Sequence, residues 1–173
     1  MFLFSLTCFL LVLFLFLLIY PCYRYRSLCT PASYNMVDAL TEQLPNFSSK
    51  IIVELGSCWG NIAFTLSKKY KDCRVIGYEI SILPYLFSKA LCLKDNITFI
   101  LGDFFHYSLS KADVIILHQS SSVVSDLKDK LNKELKSQAV VYSIAHPIIG
   151  WVPKKKIKVK NTKNTYIYEY IFV

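Results

Sequence analysis

The chain has 173 residues, a formal net charge of +8 and a hydrophobic fraction of 54%. The length suits one domain, and so apolar a composition excludes a disordered chain. None of the 20 Lys and Arg or the 12 Asp and Glu residues precedes Arg24, so the apolar excess belongs to one end.

Residues 1–20 read MFLFSLTCFLLVLFLFLLIY, with Ser5 and Thr7 the polar interruptions. About 20 helical residues cover the ~30 Å hydrocarbon core of a bilayer. The stretch is therefore expected to be a single-pass transmembrane anchor. A cleaved signal peptide is the competing reading; it wants a basic n-region and small residues at the cleavage site. No basic side chain precedes this run, and Tyr20-Pro21-Cys22 is a poor site. Arg24 and Arg26 would then place the rest of the chain on the cytoplasmic or matrix side. Tyr20, Tyr23 and Tyr25 fit an interfacial belt. The six cysteines (Cys8, Cys22, Cys29, Cys58, Cys73, Cys92) form no CxxC pair and no metal spacing. They read as reduced thiols, and no metal is expected.

Residues 21–34, with Pro21 and Pro31, read as a juxtamembrane linker before a domain over 35–173. Met36, Leu40 and Leu44 have helical spacing over 35–44. Strands and helices then alternate: a strand over 50–55 (KIIVEL), a helix over 61–70, a strand over 73–79 and a helix over 83–93. Strands over 97–101 and 113–117, a helix over 122–135 and a strand over 139–144 follow. This order predicts a parallel α/β sheet with helices on both faces. The runs 157–160 and 165–173, split by Asn161-Thr162-Lys163-Asn164, predict a terminal antiparallel hairpin.

The chemistry-bearing stretch is Val53-Glu54-Leu55-Gly56-Ser57-Cys58-Trp59-Gly60-Asn61, where the first strand of the sheet turns into a helix. Ligands of open α/β sheets bind beyond the carboxyl ends of the strands. Glycines there let backbone approach a ligand. Glu79 ends the second strand, where a carboxylate can accept both ribose hydroxyls. Asp103 follows the third, where it can face an adenine amino group. A dinucleotide site wants G-x-G-x-x-G and a helix N-terminus free to meet a pyrophosphate. This turn has G-x-x-x-G, with Glu54 placed to repel one. A P-loop is excluded, for no G-K-[S/T] occurs.

This constellation resembles the class I S-adenosylmethionine-dependent methyltransferases over about residues 35–173. Their first motif is E/D-x-G-x-G-x-G; here it reads E-L-G-S-C-W-G, with Cys58 in place of the middle glycine. The resemblance implies a Rossmann-like fold and S-adenosyl-L-methionine as cofactor. It implies that Glu54 contacts the methionine amino group and that Gly56, Ser57 and Gly60 form the close-approach turn. Glu79 would hold the ribose, and Asp103 and Phe104 the adenine. The blocks ELGSCWGNIAF, VIGYEISILPYLFSK, GDFF, ADVIIL and HPIIGW resemble a small membrane-anchored branch. It includes mitochondrial protein-lysine methyltransferases acting on the ATP synthase c-subunit or the adenine nucleotide carrier, with bacterial relatives. The implied activity is methyl transfer, with a protein lysine the leading acceptor. An inactive cofactor-binding or membrane interaction module, motivated by Cys58, and a lipid or small-molecule methyltransferase are the alternatives.

A lysine acceptor must lose a proton before it can attack. His118, just past the fourth strand, is the candidate relay, and Gln119 can orient the amine; the alternative for His118 is a strand-end hydrogen bond to backbone. His146 is a weaker candidate, and His106 reads as a solvated loop residue. Lys154, Lys155, Lys156, Lys158, Lys160 and Lys163 lie within ten residues that hold no acid. They read as a solvated rim or a contact for anionic lipid. Nucleic acid is not expected, for want of interleaved aromatics.

Overall fold

A computed structural model describes residues 2–25 and 29–173, with side chains over 4–16 and 29–173. Helix α1 (Phe2–Tyr25) is followed by a segment over 29–33 and then helix α2 (Tyr34–Gln43). The alternating part comprises β1 (Ile51–Leu55), α3 (Asn61–Lys69), β2 (Arg74–Glu79), α4 (Ile82–Ala90) and β3 (Ile97–Leu101). A short 3-10 turn (Phe104–His106), β4 (Val114–Leu117), α5 (Ser121–Glu134) and β5 (Val140–Ile144) complete it. Strands β6 (Lys155–Lys158) and β7 (Tyr166–Ile171) close the chain.

The strands form one seven-stranded sheet in the order β3-β2-β1-β4-β5-β7-β6. The first five run parallel, and β7 pairs antiparallel with both β5 and β6. The expected Rossmann-like architecture and antiparallel C-terminal hairpin are thus both present. Strand β4 (VIIL) is buried throughout, as a central parallel strand covered on both faces must be. Leu40 of α2 and Ile62 and Leu66 of α3 pack with Ile52, Val75 and Ile116 on one face. Val124, Leu127 and Leu131 of α5 pack with Val53, Ile115 and Val141 on the other. Asp113 fastens the amino-terminal edge. It accepts the Ile51 N–H at 2.8 Å and pairs with Lys136 at 2.8 Å and Lys50 at 3.2 Å.

The N-terminal expectation is corrected. Among the described residues no helix is long and apolar enough to cross a membrane. The anchor over 1–20, and the cytoplasmic or matrix placement argued from it, are therefore withdrawn. Helix α1 also continues past Pro21, where a linker was expected. The side chains of Tyr20, Cys22, Tyr23, Arg24, Tyr25 and Arg26 lie outside the described residues.

The cysteine expectation is corrected too. Cys29 and Cys58 form a disulfide, with Cα atoms 5.3 Å apart. Cys8, Cys73 and Cys92 are free thiols. The lysine run does meet an acid: Lys155 Nζ stands 3.8 Å from Glu169, brought opposite it by β6–β7 pairing. Lys156 lies over the Tyr166 ring, 4.3 Å from its centroid.

Candidate active site

The order β3-β2-β1-β4 puts a switch in winding direction between β1 and β4, and a cavity opens at that end of the sheet. It encloses about 600 Å³, including its mouth, and is lined by Gly56, Cys58, Glu79, Ser81, Asp103 and Phe104 together with Phe105, His118, Gln119 and Val123. Cys29 and Thr30, from the segment before α2, complete the wall.

The β1–α3 turn explains the glycine pattern. Gly56, Cys58 and Gly60 all have left-handed backbone, with φ of 78°, 50° and 82°. These are the three alternate positions of the motif, and Cys58 adopts the conformation that a glycine takes without strain. An L-residue pays about 1–2 kcal/mol for it. Three contacts hold Cys58 there. Its N–H donates to Glu79 Oε2 at 2.6 Å, its carbonyl accepts from Ser88 Oγ at 3.3 Å, and its sulfur is bonded to Cys29.

Glu79 is 4% exposed. Its second oxygen accepts the Ser81 N–H at 2.7 Å, so the carboxylate bridges the loops after β1 and β2. Each oxygen keeps a further lone pair for a ligand hydroxyl. Asp103 caps the 3-10 turn by accepting from the Phe105 N–H at 2.9 Å, and presents itself to the cavity beside Phe104.

Glu54, Ser57 and Gly60 stand behind the lining. Glu54 is 3% exposed, and its Oε2 has no partner. Burial pushes its carboxyl well above the ordinary range; the Ala63 N–H opposes this, and Glu79 adds to it. Ser57 packs under β2, since a Cβ on Gly77 would lie 2.9 Å from its own. Its hydroxyl is buried without a partner. A side chain on Gly60 would strike Phe64, Phe99 and Ser88.

At the end of β4, Gln119 Nε2 donates to the Leu55 carbonyl at 2.8 Å. His118 Nδ1 is buried without a hydrogen-bond partner, and the Thr30 backbone lies close enough to the ring to favour its protonated form. Burial first, and His146 second, hold the His118 imidazole below its usual pKa, against the opposing Thr30 contact. The His118 ring borders the cavity. His106 is exposed, as expected, and Trp59 packs edge-on to Phe87 outside the cavity. The role of the segment 29–33 was missed; no local signal joins it to residues so far along the chain.

The family described as the ANTKMT methyltransferase domain matches residues 54–155. This chain belongs to that family. A protein-lysine N-methyltransferase of Saccharolobus islandicus (strain REY15A) is 30% identical over 82% of this chain and 91% of its own. A human lysine N-methyltransferase, named for the C component of ATP synthase, is 23% identical over 74% of this chain, which spans 57% of that protein. An RNA methyltransferase of Salinibacter ruber, solved with S-adenosyl-L-homocysteine, shares the fold with a TM-score of 0.74. It is 22% identical and is matched over 83% of this chain and 94% of its own.

This ANTKMT-family member is an S-adenosylmethionine-dependent methyltransferase. Its cavity fits the cofactor in kind: a carboxylate at the end of β2, an acid and an aromatic ring after β3, and a turn whose backbone borders open space.

Proposed function

We propose that this methyltransferase acts on the side-chain amine of a protein lysine. The observation that carries the reading is the 30% identity to a protein-lysine N-methyltransferase over 91% of that protein's length.

In this reading Glu79 accepts the ribose hydroxyls, and Asp103 and Phe104 take the adenine. Gly56 and Cys58 offer backbone at close range. Glu54 acts from behind, as a carboxyl that can offset the methionine ammonium once it gives up its proton. Bound S-adenosylmethionine supplies an electrophilic methyl group on a sulfonium and leaves as a thioether. The protein supplies alignment and exclusion of water.

The acceptor amine must be neutral to attack. Phe104, Phe105 and Val123 line the cavity, and apolar surroundings of this kind lower an ammonium pKa. His118 is held neutral, with a bare Nδ1 to take the departing proton. Gln119 is tied to Leu55 through its amide nitrogen and lines the cavity, where it is placed to orient the amine.

The test is incubation of cell protein with methyl-labelled cofactor, then hydrolysis and amino-acid analysis. Label in methyl-lysine is expected, and its loss in Glu79→Ala. Label confined to lipid or small molecules would overturn the lysine reading. Cofactor binding with no transfer would leave an inactive binding module.

A further inference from the structure

The segment 29–33 is fastened to the cavity wall at two points. Cys29 is bonded to Cys58, and the Ala32 carbonyl accepts from the Asn61 side-chain amide. Downstream the strap is secure without the disulfide: Ala32 is buried in the core, and Ser33 caps α2. At Cys29 the covalent bond ties it to the β1–α3 turn. Cys29 and Thr30 both line the cavity.

We propose that the Cys29–Cys58 pair is a reversible thiol site that latches this strap over the cofactor cavity. The proposal rests on the cofactor reading above. In the disulfide state the strap is a fixed wall and the β1–α3 turn is pinned through Cys58. A soluble dithiol opens the latch. Its thiolate attacks one sulfur, the Cys29–Cys58 bond breaks, two protein thiols form, and the dithiol leaves as its own disulfide. Cys29 is half-buried, whereas Cys58 is 5% exposed, so Cys29 is the more accessible of the two sulfurs.

Opening has two consequences. The segment is then tied to the wall through the Ala32–Asn61 hydrogen bond, and one such bond contributes only about 1 kcal/mol. The left-handed Cys58 also loses one of its three restraints, and its strain favours relaxation of the turn. Ordering the strap again must then be done by the ligand itself, which lowers affinity.

The experiment uses the full chain in two forms, purified without reductant and treated with a dithiol. Alkylation and mass analysis should find Cys29 and Cys58 blocked in the first form and both labelled in the second. Backbone hydrogen exchange over 29–33 and 57–60 should quicken on reduction. Affinity for S-adenosylhomocysteine, by calorimetry, should weaken about tenfold on reduction, the scale of losing a preordered wall. Cys29→Ser should behave as the reduced form with or without dithiol. Free Cys29 and Cys58 in the untreated protein, or equal exchange in both forms, would overturn the latch. Equal affinity in both forms would also overturn it. If exchange differs and neither form binds the homocysteine product, the latch stands and the cofactor reading fails.

Discussion

Gln119 occupies the space that a side chain at Gly56 would need. A Cβ built on Gly56 would lie 1.9 Å from Gln119 Nε2, and that same nitrogen donates to the Leu55 carbonyl at 2.8 Å. The ends of β1 and β4 are thereby clipped together across the point where the winding of the sheet reverses. The cavity wall is built from both strands at once.

Gly56→Ala should therefore cost more than its left-handed backbone alone. The new methyl must displace Gln119 and break the clip. Affinity for S-adenosylhomocysteine should fall by about tenfold or more, since a broken buried hydrogen bond costs about 1–3 kcal/mol. Gly150→Ala is the control. Gly150 also has positive φ, 82°, but its neighbour is the flexible end of Lys128. Calorimetry should show its affinity unchanged.

Glu79→Gln should damage fold and site together. Both carboxylate oxygens accept buried backbone N–H groups, from Cys58 and Ser81. An amide turns one acceptor into a donor facing a donor. Urea denaturation should show a loss of about 1–3 kcal/mol, and cofactor binding should be abolished.

Glu54→Gln should stabilise the free protein at neutral pH. Burial, opposed by the Ala63 N–H and reinforced by Glu79, raises the folded-state pKa. The folded chain then holds a proton that the unfolded chain has released. Stability is therefore lost as pH rises through the unfolded value toward the folded one. The variant should match the parent at pH 4 and exceed it at pH 7, with thermal midpoints as the readout. Cofactor affinity should fall at the same time.

Asp113→Asn tests the opposite sign at the opposite end of the sheet. Burial raises this carboxyl, but the Ile51 N–H, Lys136 and Lys50 together outweigh it and bring it below the ordinary value. Its contribution is present above the unfolded pKa and lost as pH falls through the folded one. The variant should lose about 1–2 kcal/mol at pH 7 and converge with the parent in acid. Affinity for S-adenosylhomocysteine should not change, because Asp113 lies at the far ends of the strands.

His118→Ala should lower kcat by about 10²–10⁴, with product affinity changed only a few-fold. In the parent, burial and then His146 hold the imidazole below its usual pKa. Activity should therefore persist into mildly acidic pH and decline only below the ordinary histidine range. A pH–rate profile with its acid limb above that range would contradict the proton-relay role.

Local signals made most of the fold legible. The β-branched runs over 51–55 and 114–117 are strands because they are buried on both faces. The turn glycines and the acids after β2 and β3 pointed to the carboxyl ends of the strands, where the cavity opens. Other features were not legible. Glu54 and Glu79 are equally acidic in the sequence, yet one lies behind the wall and the other on it. Which way a strand-end side chain turns depends on the loops packed over it. The apolar run at the start of the chain pointed to a membrane by composition alone. Among the described residues no helix is long and apolar enough to cross one.

What the amino-acid order determined by itself was the alternation of strand and helix, the positions where backbone must bend, and the chemical types placed there. Those are terms settled within a turn or two of chain. Tertiary structure alone decided that Cys58 takes a left-handed conformation and that its sulfur meets Cys29. It also decided that the lysine run finds Glu169 and that Gln119 fills the space beside Gly56. Each of these joins residues distant in sequence, and such contacts form only when the packing of the whole sheet brings their elements together.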